Sequence, residues 1–136
     1  MRNAMTIGQL AKVAGVGVET IRYYQRRGLL ETPSPPMGGR RHYDDAVVRQ
    51  IAFIRRAQML GFTLDEITEL ISISDGRDCA KGRAHASAKV EELAARVAEL
   101  QRMTRQLNAM VKKCDARPRG ERCPFIMFLG GGEALR

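Results

Sequence analysis

Apolar residues recur at three- and four-residue steps through most of this sequence, and glycine or proline separates the stretches that keep the rhythm. Such spacing marks one face of a helix turned toward a core. The first stretch opens at Thr6-Ile7-Gly8-Gln9, a capping box with a hydroxyl at the cap and an amide side chain three residues on. It is expected to bury Ile7, Leu10 and Val13 and to stop near Gly15. A second helix is predicted from about Val18 to Arg27, with Gly28 as the left-handed residue past its end. Ile21 and Tyr24 can face the first helix. Two short helices joined through Gly15-Val16-Gly17 predict a helix-turn-helix.

The rhythm breaks between Leu29 and Tyr43, which hold three of the five prolines and the pair Gly38-Gly39. A short two-stranded hairpin, or wing, is predicted there. A third helix, from Asp44 or Asp45 to Leu60, carries Val47, Val48, Ile51, Ile54 and Ala57. The fourth opens on another capping box, Thr63 to Glu66, and carries Leu64, Ile67, Leu70 and Ile71. Loop signals at Ser74-Asp75-Gly76 then lead into a helix-prone stretch from about Cys79 to Lys113. In it Val90, Leu93, Val97, Leu100, Leu107 and Val111 alternate three- and four-residue steps, with Thr104 filling the one polar gap. That is a heptad seam, and a second helix must cover it.

Composition agrees with an α-rich protein: 44% of the 136 residues are hydrophobic, only 5% are aromatic, and there is no Trp. The formal charge of +8 is unevenly placed, with ten Lys/Arg against four Asp/Glu up to residue 60 and thirteen against eleven after it. A polyanion contact therefore belongs to the N-terminal half. On the second helix Thr20, Arg22, Tyr23, Arg26 and Arg27 offer donors to phosphates and base edges, and Arg40, Arg41 and Tyr43 form a basic-aromatic wing tip beside His42. No apolar run approaches the roughly 20 residues that span a bilayer, and no hydrophobic signal core precedes the first helix. A cytoplasmic protein without a membrane partner is expected.

The chemistry lies in three cysteines, which cannot all pair within one chain and which a reducing cytoplasm keeps as thiols. Continued in both directions, the heptad frame reaches Cys79 and Cys114, 35 residues or five whole heptads apart. A helix of that length is roughly 50 Å long, so these two cannot meet within one chain. Two such helices paired antiparallel would bring Cys79 of one subunit near Cys114 of the other, at two symmetric sites. Between Cys114 and Cys123 lies Asp-Ala-Arg-Pro-Arg-Gly-Glu-Arg, a turn-forming segment that can fold Cys123 back to the helix end. Pro124 makes Cys123 a helix cap, where a thiolate is favoured. Zinc usually takes four ligands and no convincing fourth is visible. Three sulfurs suit a thiophilic ion, Hg(II) first and then Pb(II) or Cd(II). His85 falls about 240° round the helix from Cys79 and is read as a surface residue.

Thr6-Ile7-Gly8, Val18-Glu19-Thr20-Ile21-Arg22-Tyr23-Tyr24-Gln25-Arg26-Arg27-Gly28-Leu29-Leu30, Arg41-His42-Tyr43 and Leu60-Gly61-Phe62-Thr63-Leu64-Asp65-Glu66-Ile67 resemble the MerR family, and the likeness covers nearly the whole chain. Cys79 at the start of the long helix, with Cys114-x8-Cys123-Pro124, resembles its mercury-sensing branch. The resemblance implies a homodimer in which Cys79 of one subunit and Cys114 and Cys123 of the other bind Hg(II). It also implies repression without metal and, with metal, untwisting and bending of promoter DNA so that RNA polymerase can open it. One departure is Gly39-Arg40-Arg41-His42, whose basic residues are arranged differently from those of close relatives.

The expected architecture is mainly α. A winged helix-turn-helix DNA-binding domain covers 1–73, a linker and antiparallel coiled-coil dimerisation helix 74–113, and a metal-binding loop with a short helix 114–136. The same regulator tuned to Pb(II) or Cd(II) is the nearest alternative, favoured by a second thiol beside Cys79 that this chain lacks. No nucleotide-binding glycine loop, flavin fingerprint or terminal cysteine pair supports an enzyme such as a thiol-dependent metal reductase. The basic N-terminal half argues against a simple metal scavenger.

Overall fold

The computed structural model describes residues 4–33 and 42–136, and places in them six helices and one isolated bridge. The helices are α1 (Ile7–Ala14), α2 (Val18–Arg26), α3 (Asp45–Met59), α4 (Leu64–Ser72), α5 (Cys79–Ala116) and α6 (Pro124–Leu129). The chain divides into one unit that ends at Lys89 and another that begins at Val90. α5 runs through that division.

In the first unit the local signals of the sequence become geometry. Thr6 Oγ1 accepts the Gln9 amide (3.2 Å) while Gln9 Oε1 accepts the Thr6 amide (2.9 Å), which closes the capping box at the start of α1. Gly15 ends α1 at φ +71°, a left-handed conformation that glycine adopts without a Cβ penalty. α2 ends in a Schellman turn: Gly28, at φ +76°, donates to the Gln25 carbonyl and Leu29 donates to that of Tyr24. This turn delivers Leu29 and Leu30 into the core. Leu10, Ile21, Leu29, Ile51, Ile54 and Ile67 are fully buried there, so α1, α2, α3 and α4 all contribute.

Three sequence expectations change. Val13 is 62% exposed, because the buried face of α1 follows Ile7, Leu10, Ala11 and Ala14, and Val13 lies off that stripe. The antiparallel bridge of Tyr43 is made with Met5, through amide-to-carbonyl bonds of 2.7 and 2.8 Å, and ties the chain before α1 to the chain before α3. The body of the predicted wing, including Gly38, Gly39, Arg40 and Arg41, lies outside the described residues. Finally, α5 continues past Lys113 to Ala116. Nothing in Cys114-Asp115-Ala116 breaks a helix, and Pro118 then disfavours helical backbone at Arg117.

The apolar row of α5 is uncovered by its own chain. Val90, Leu93, Val97, Leu100, Leu107 and Val111 are each between 40% and 65% exposed. The one buried residue of α5 is Lys89, at 4% exposure. Its Nζ lies 2.9 Å from Glu66 Oε1 and 5.1 Å from the centre of the Phe62 ring. The same Glu66 oxygen accepts the Thr63 amide at 2.8 Å, completing the capping box of α4. Among the described residues no helix is long and apolar enough to cross a membrane.

Glu66 generates a pH prediction. The Thr63 amide, then the Lys89 ammonium, lower its pKa from the ordinary 4.5 to about 2. A carboxylate that is more acidic in the folded state contributes stability above its unfolded pKa and loses it as protons bind the folded form. Wild type and Glu66→Gln should therefore differ most above pH about 4.5 and converge as the pH falls toward about 2. Melting temperatures of both proteins across that range check this; parallel curves would show that the Glu66 charge contributes nothing.

Candidate nucleic-acid interface and thiol pair

α2 has two faces with different work. Ile21 and Tyr24 are buried against α1 and α3, and the Tyr24 hydroxyl donates to Gln58 Oε1 of α3 at 2.8 Å. On the other side Arg22, Tyr23, Arg26 and Arg27 are exposed and Thr20 is partly so. The core side thus fixes the helix, and the basic side is left to solvent. Two of those cations gather on one ring: the Arg26 and Arg27 guanidinium carbons lie 5.8 and 6.0 Å from the centre of Tyr23. Arg27 Nη1 also donates to the Tyr23 hydroxyl (3.3 Å) and Nη2 to Asp65 Oδ1 of α4 (2.9 Å). The Asp65 bond, then Tyr23, raise the pKa of Arg27 further. Its guanidinium is oriented before any ligand arrives.

Tyr43 is a correction. It is 4% exposed and its hydroxyl accepts from Gln25 Nε2 of α2 at 2.9 Å, so it sits in the core against α2 rather than at an exposed tip. Its bridge to Met5 holds the backbone there. His42 is exposed, and Arg40 and Arg41 lie outside the described residues. Sequence reasoning also missed Arg55, whose Nη1 donates to the Gly15 carbonyl in the helix-turn-helix turn at 3.2 Å. It missed Asp65 too, which in sequence is one of two acids in a first helical turn and is explained by the helix dipole alone.

In the second unit the structure brings two of the three cysteines together. Cys114 lies in the last turn of α5 and Cys123 is the N-cap of α6, with Pro124 at the first helical position. Their sulfurs are 3.5 Å apart and both residues are half-buried. The intervening loop is folded tightly: Arg117 Nη1 donates to the Glu121 carbonyl (3.1 Å), the Glu121 amide to that of Pro118 (3.2 Å), and Gly120 turns at φ +89°. Although Cys123 makes no full capping hydrogen bond, its thiol pKa is held below the ordinary range. The Ile126 amide is the main cause, followed by the Cys114 sulfur, with smaller help from the Phe125 amide and Arg117.

Cys79, the first residue of α5, is exposed and belongs to the first unit. Asp78 beside it is a helix-start residue, accepting the Lys81 amide at 3.1 Å, and His85 Nε2 lies 3.7 Å from Glu69 Oε2. Among the described residues no three of His, Cys, Asp and Glu converge. The donor pair nonetheless fits a thiophilic ion. With metal–sulfur bonds of about 2.3 Å, two thiolates on one tetrahedral centre stand about 3.8 Å apart. The 3.5 Å pair reaches that spacing by a small side-chain rotation.

Residues 5–72 match the MerR HTH family regulatory protein, and residues 48–110 match the domain described as MerR, DNA binding. The chain belongs to the MerR family. A mercuric resistance operon regulatory protein from Pseudomonas fluorescens is 45% identical over 131 residues, 96% of this chain and 91% of that protein. One from Shigella flexneri is 44% identical over the same shares. Among solved structures, the transcription regulator PbrR691 from Ralstonia metallidurans, in complex with lead(II), superposes with a TM-score of 0.80 at 34% identity, covering 92% of this chain and 98% of that one. As a MerR-family member the chain is a DNA-binding transcription regulator and not an enzyme.

The exposed face of α2 predicts a salt-dependent affinity, since each arginine that meets a phosphate releases counterions. Arg22→Ala should weaken operator binding by about 1–3 kcal/mol at fixed salt, the scale of one good DNA contact. Fluorescence anisotropy with labelled promoter duplex checks it. Wild-type affinity in the mutant would place the DNA-reading residues elsewhere.

Proposed function

We propose that this protein is a mercury(II)-responsive regulator that sits on promoter DNA as a cytoplasmic homodimer, represses without metal, and activates mercury-resistance genes when Hg(II) binds. The observation that carries this reading is the pair of sulfurs, Cys114 and Cys123, 3.5 Å apart at the end of a helix that begins with a third cysteine and whose heptad row is exposed. An exposed row of that length calls for a second helix, and an identical one is always at hand. Antiparallel pairing along the heptad frame puts Cys79 of one subunit beside Cys114 and Cys123 of the other. A thiophilic ion there would supply a single centre that draws thiolates from both subunits together. Cys114 and Cys123 stand within a small side-chain rotation of the required spacing, so the donor still to be brought in would be Cys79.

The residues that would contact DNA are Thr20, Arg22, Tyr23, Arg26 and Arg27 of α2, with Arg40 and Arg41. They are distinct from the thiols, so metal can change output while the protein stays on the promoter with RNA polymerase. The two states then differ in conformation, biased by the affinity difference for the ion. A second reading is favoured by the likeness to PbrR691, a structure that holds lead(II): the same architecture responding to Pb(II) or Cd(II). Titration of the dimer with Hg(II), Pb(II), Cd(II) and Zn(II), following transcription from the promoter, separates the two. The mercury reading requires Hg(II) to act at the lowest concentration.

Two outcomes follow from this reading. Footprints on the promoter should persist when Hg(II) raises transcription; footprints that vanish as transcription rises would replace activation by simple derepression. The second outcome tests the shared site. Cys79→Ala and Cys114→Ala homodimers should each lose tight Hg(II) binding, since every site lacks one thiolate. A mixed dimer of the two variants retains one complete site, with Cys79 from one subunit and Cys114 and Cys123 from the other. Differently tagged subunits purified as the heterodimer should bind one Hg(II) tightly, and a heterodimer with no tight site would overturn the antiparallel arrangement.

A further inference from the structure

Lys89 is the one buried residue of α5 and also its last residue within the DNA-binding unit; from Val90 onward the helix belongs to the other unit. A buried ammonium is costly to desolvate even when paired, and an apolar side chain of similar length would often serve stability as well or better. What the cation adds is a fixed point. Its Nζ meets Glu66 Oε1 at 2.9 Å, and that oxygen is itself held at 2.8 Å by the Thr63 amide at the start of α4. His85, one turn earlier on α5, faces Glu69 at 3.7 Å and repeats the pairing on the same two helices.

The residue before Glu66 is bound in another direction. Asp65 Oδ1 accepts Arg27 Nη2 at 2.9 Å, and Arg27 reaches the Tyr23 hydroxyl at 3.3 Å. Consecutive acids in one helical turn therefore grip α5 on one side and the end of α2 on the other. Ile67, fully buried two residues after Asp65, packs that turn into the core. The Asp65 link is exposed, with Asp65 91% and Arg27 41% accessible, and contributes little to stability. A weak link of this kind can break or shift without unfolding the domain.

We propose that Lys89, Glu66 and Asp65 are positioning residues that couple the start of α5 to the reading helix α2, so that a displacement of α5 reaches Arg27 and Tyr23 through the first turn of α4. The transcription arm of the test rests on the mercury-responsive reading above; the exchange arm does not. Lys89→Met removes the charge and keeps an apolar stem. Glu66→Gln removes the charge and keeps the cap, since Gln9 fills the same place in the capping box of α1. Lys89→Arg keeps the cation.

In the full-length dimer, Lys89→Met and Glu66→Gln should keep wild-type operator affinity without metal and wild-type Hg(II) stoichiometry. Induction by Hg(II) should fall about five- to tenfold in each, within the usual range of coupling between sites. Lys89→Arg should restore most of it, and the double variant should be no worse than either single one, because both act on one link. In the metal-free protein, hydrogen exchange at the Arg27 and Gly28 amides should quicken severalfold in the same two variants relative to the core amides of Ile51 and Ile54, which report any general loss of stability. Full induction in Lys89→Met, or a loss of induction matched by a loss of operator affinity or of folding, would overturn the coupling role. If wild type shows no Hg(II) induction, the mercury reading fails by itself, and exchange decides: faster exchange at Arg27 upholds the link, and unchanged exchange overturns it.

Discussion

A single helix cannot bury its own apolar stripe, and this constraint governs the second half of the molecule. α5 spans Cys79–Ala116 and leaves the six Val and Leu residues of its heptad row between 40% and 65% exposed. A lone helix of such composition gains little from its backbone hydrogen bonds; helices in proteins owe most of their stability to a packed face. The row must therefore be covered, and the proposed antiparallel partner covers it with its own copy of the same row. Under that arrangement dimerisation and metal sensing share one physical origin, because the frame that places Val90, Leu93 and Val97 on the seam also places Cys79 and Cys114 there.

The DNA-reading half obeys the opposite logic, since its core is complete within one chain. Leu10, Ile21, Leu29, Ile51, Ile54 and Ile67 exclude water from a small volume, and their burial determines which face of α2 remains outside. Tyr24 on Gln58 and Tyr43 on Gln25 satisfy the polar tips of aromatic rings that the core has taken in. Arg27, held between Tyr23 and Asp65, would meet a phosphate or base under the proposed reading with part of its side-chain entropy already lost. A small rigid domain can in this way present flexible side chains in a defined register.

Much of this was legible in the sequence, and for local reasons. Capping boxes at Thr6 and Thr63, the helix stop at Gly15, the left-handed Gly28 and the start of α5 all follow from residues within four positions of one another. The return of Cys123 to Cys114 was also readable, because the turn-forming segment between them is short. What was not legible depends on distant partners. Val13 looked like a core residue until Ala11 and Ala14 took the buried stripe, and small alanines carry a weak pattern signal. Tyr43 looked like a wing residue because its bridge to Met5 joins positions 38 apart in sequence. Lys89 and Asp65 gave no sign of their partners, because the sequence reveals neither which face of α5 meets Glu66 nor that α4 reaches the end of α2.

The thiols show why a sensor gains from assembling only part of its site in one chain. Two sulfurs held 3.5 Å apart by a closed loop lose little conformational freedom on binding an ion, so the chelate is preorganised. Two soft donors alone, however, hold any thiophilic metal and report nothing to the rest of the molecule. In the proposed site the third donor stands at the far end of α5 in the other subunit, and its recruitment is the only ligand-binding event that must move a helix. That helix is anchored in its own DNA-binding unit by Lys89, four residues after His85 and ten after Cys79. Cys79 would thus bind the ion within three helical turns of the point where α5 grips α4. Differential affinity between two arrangements of the helix, which any ligand-driven switch requires, would arise from that one bond.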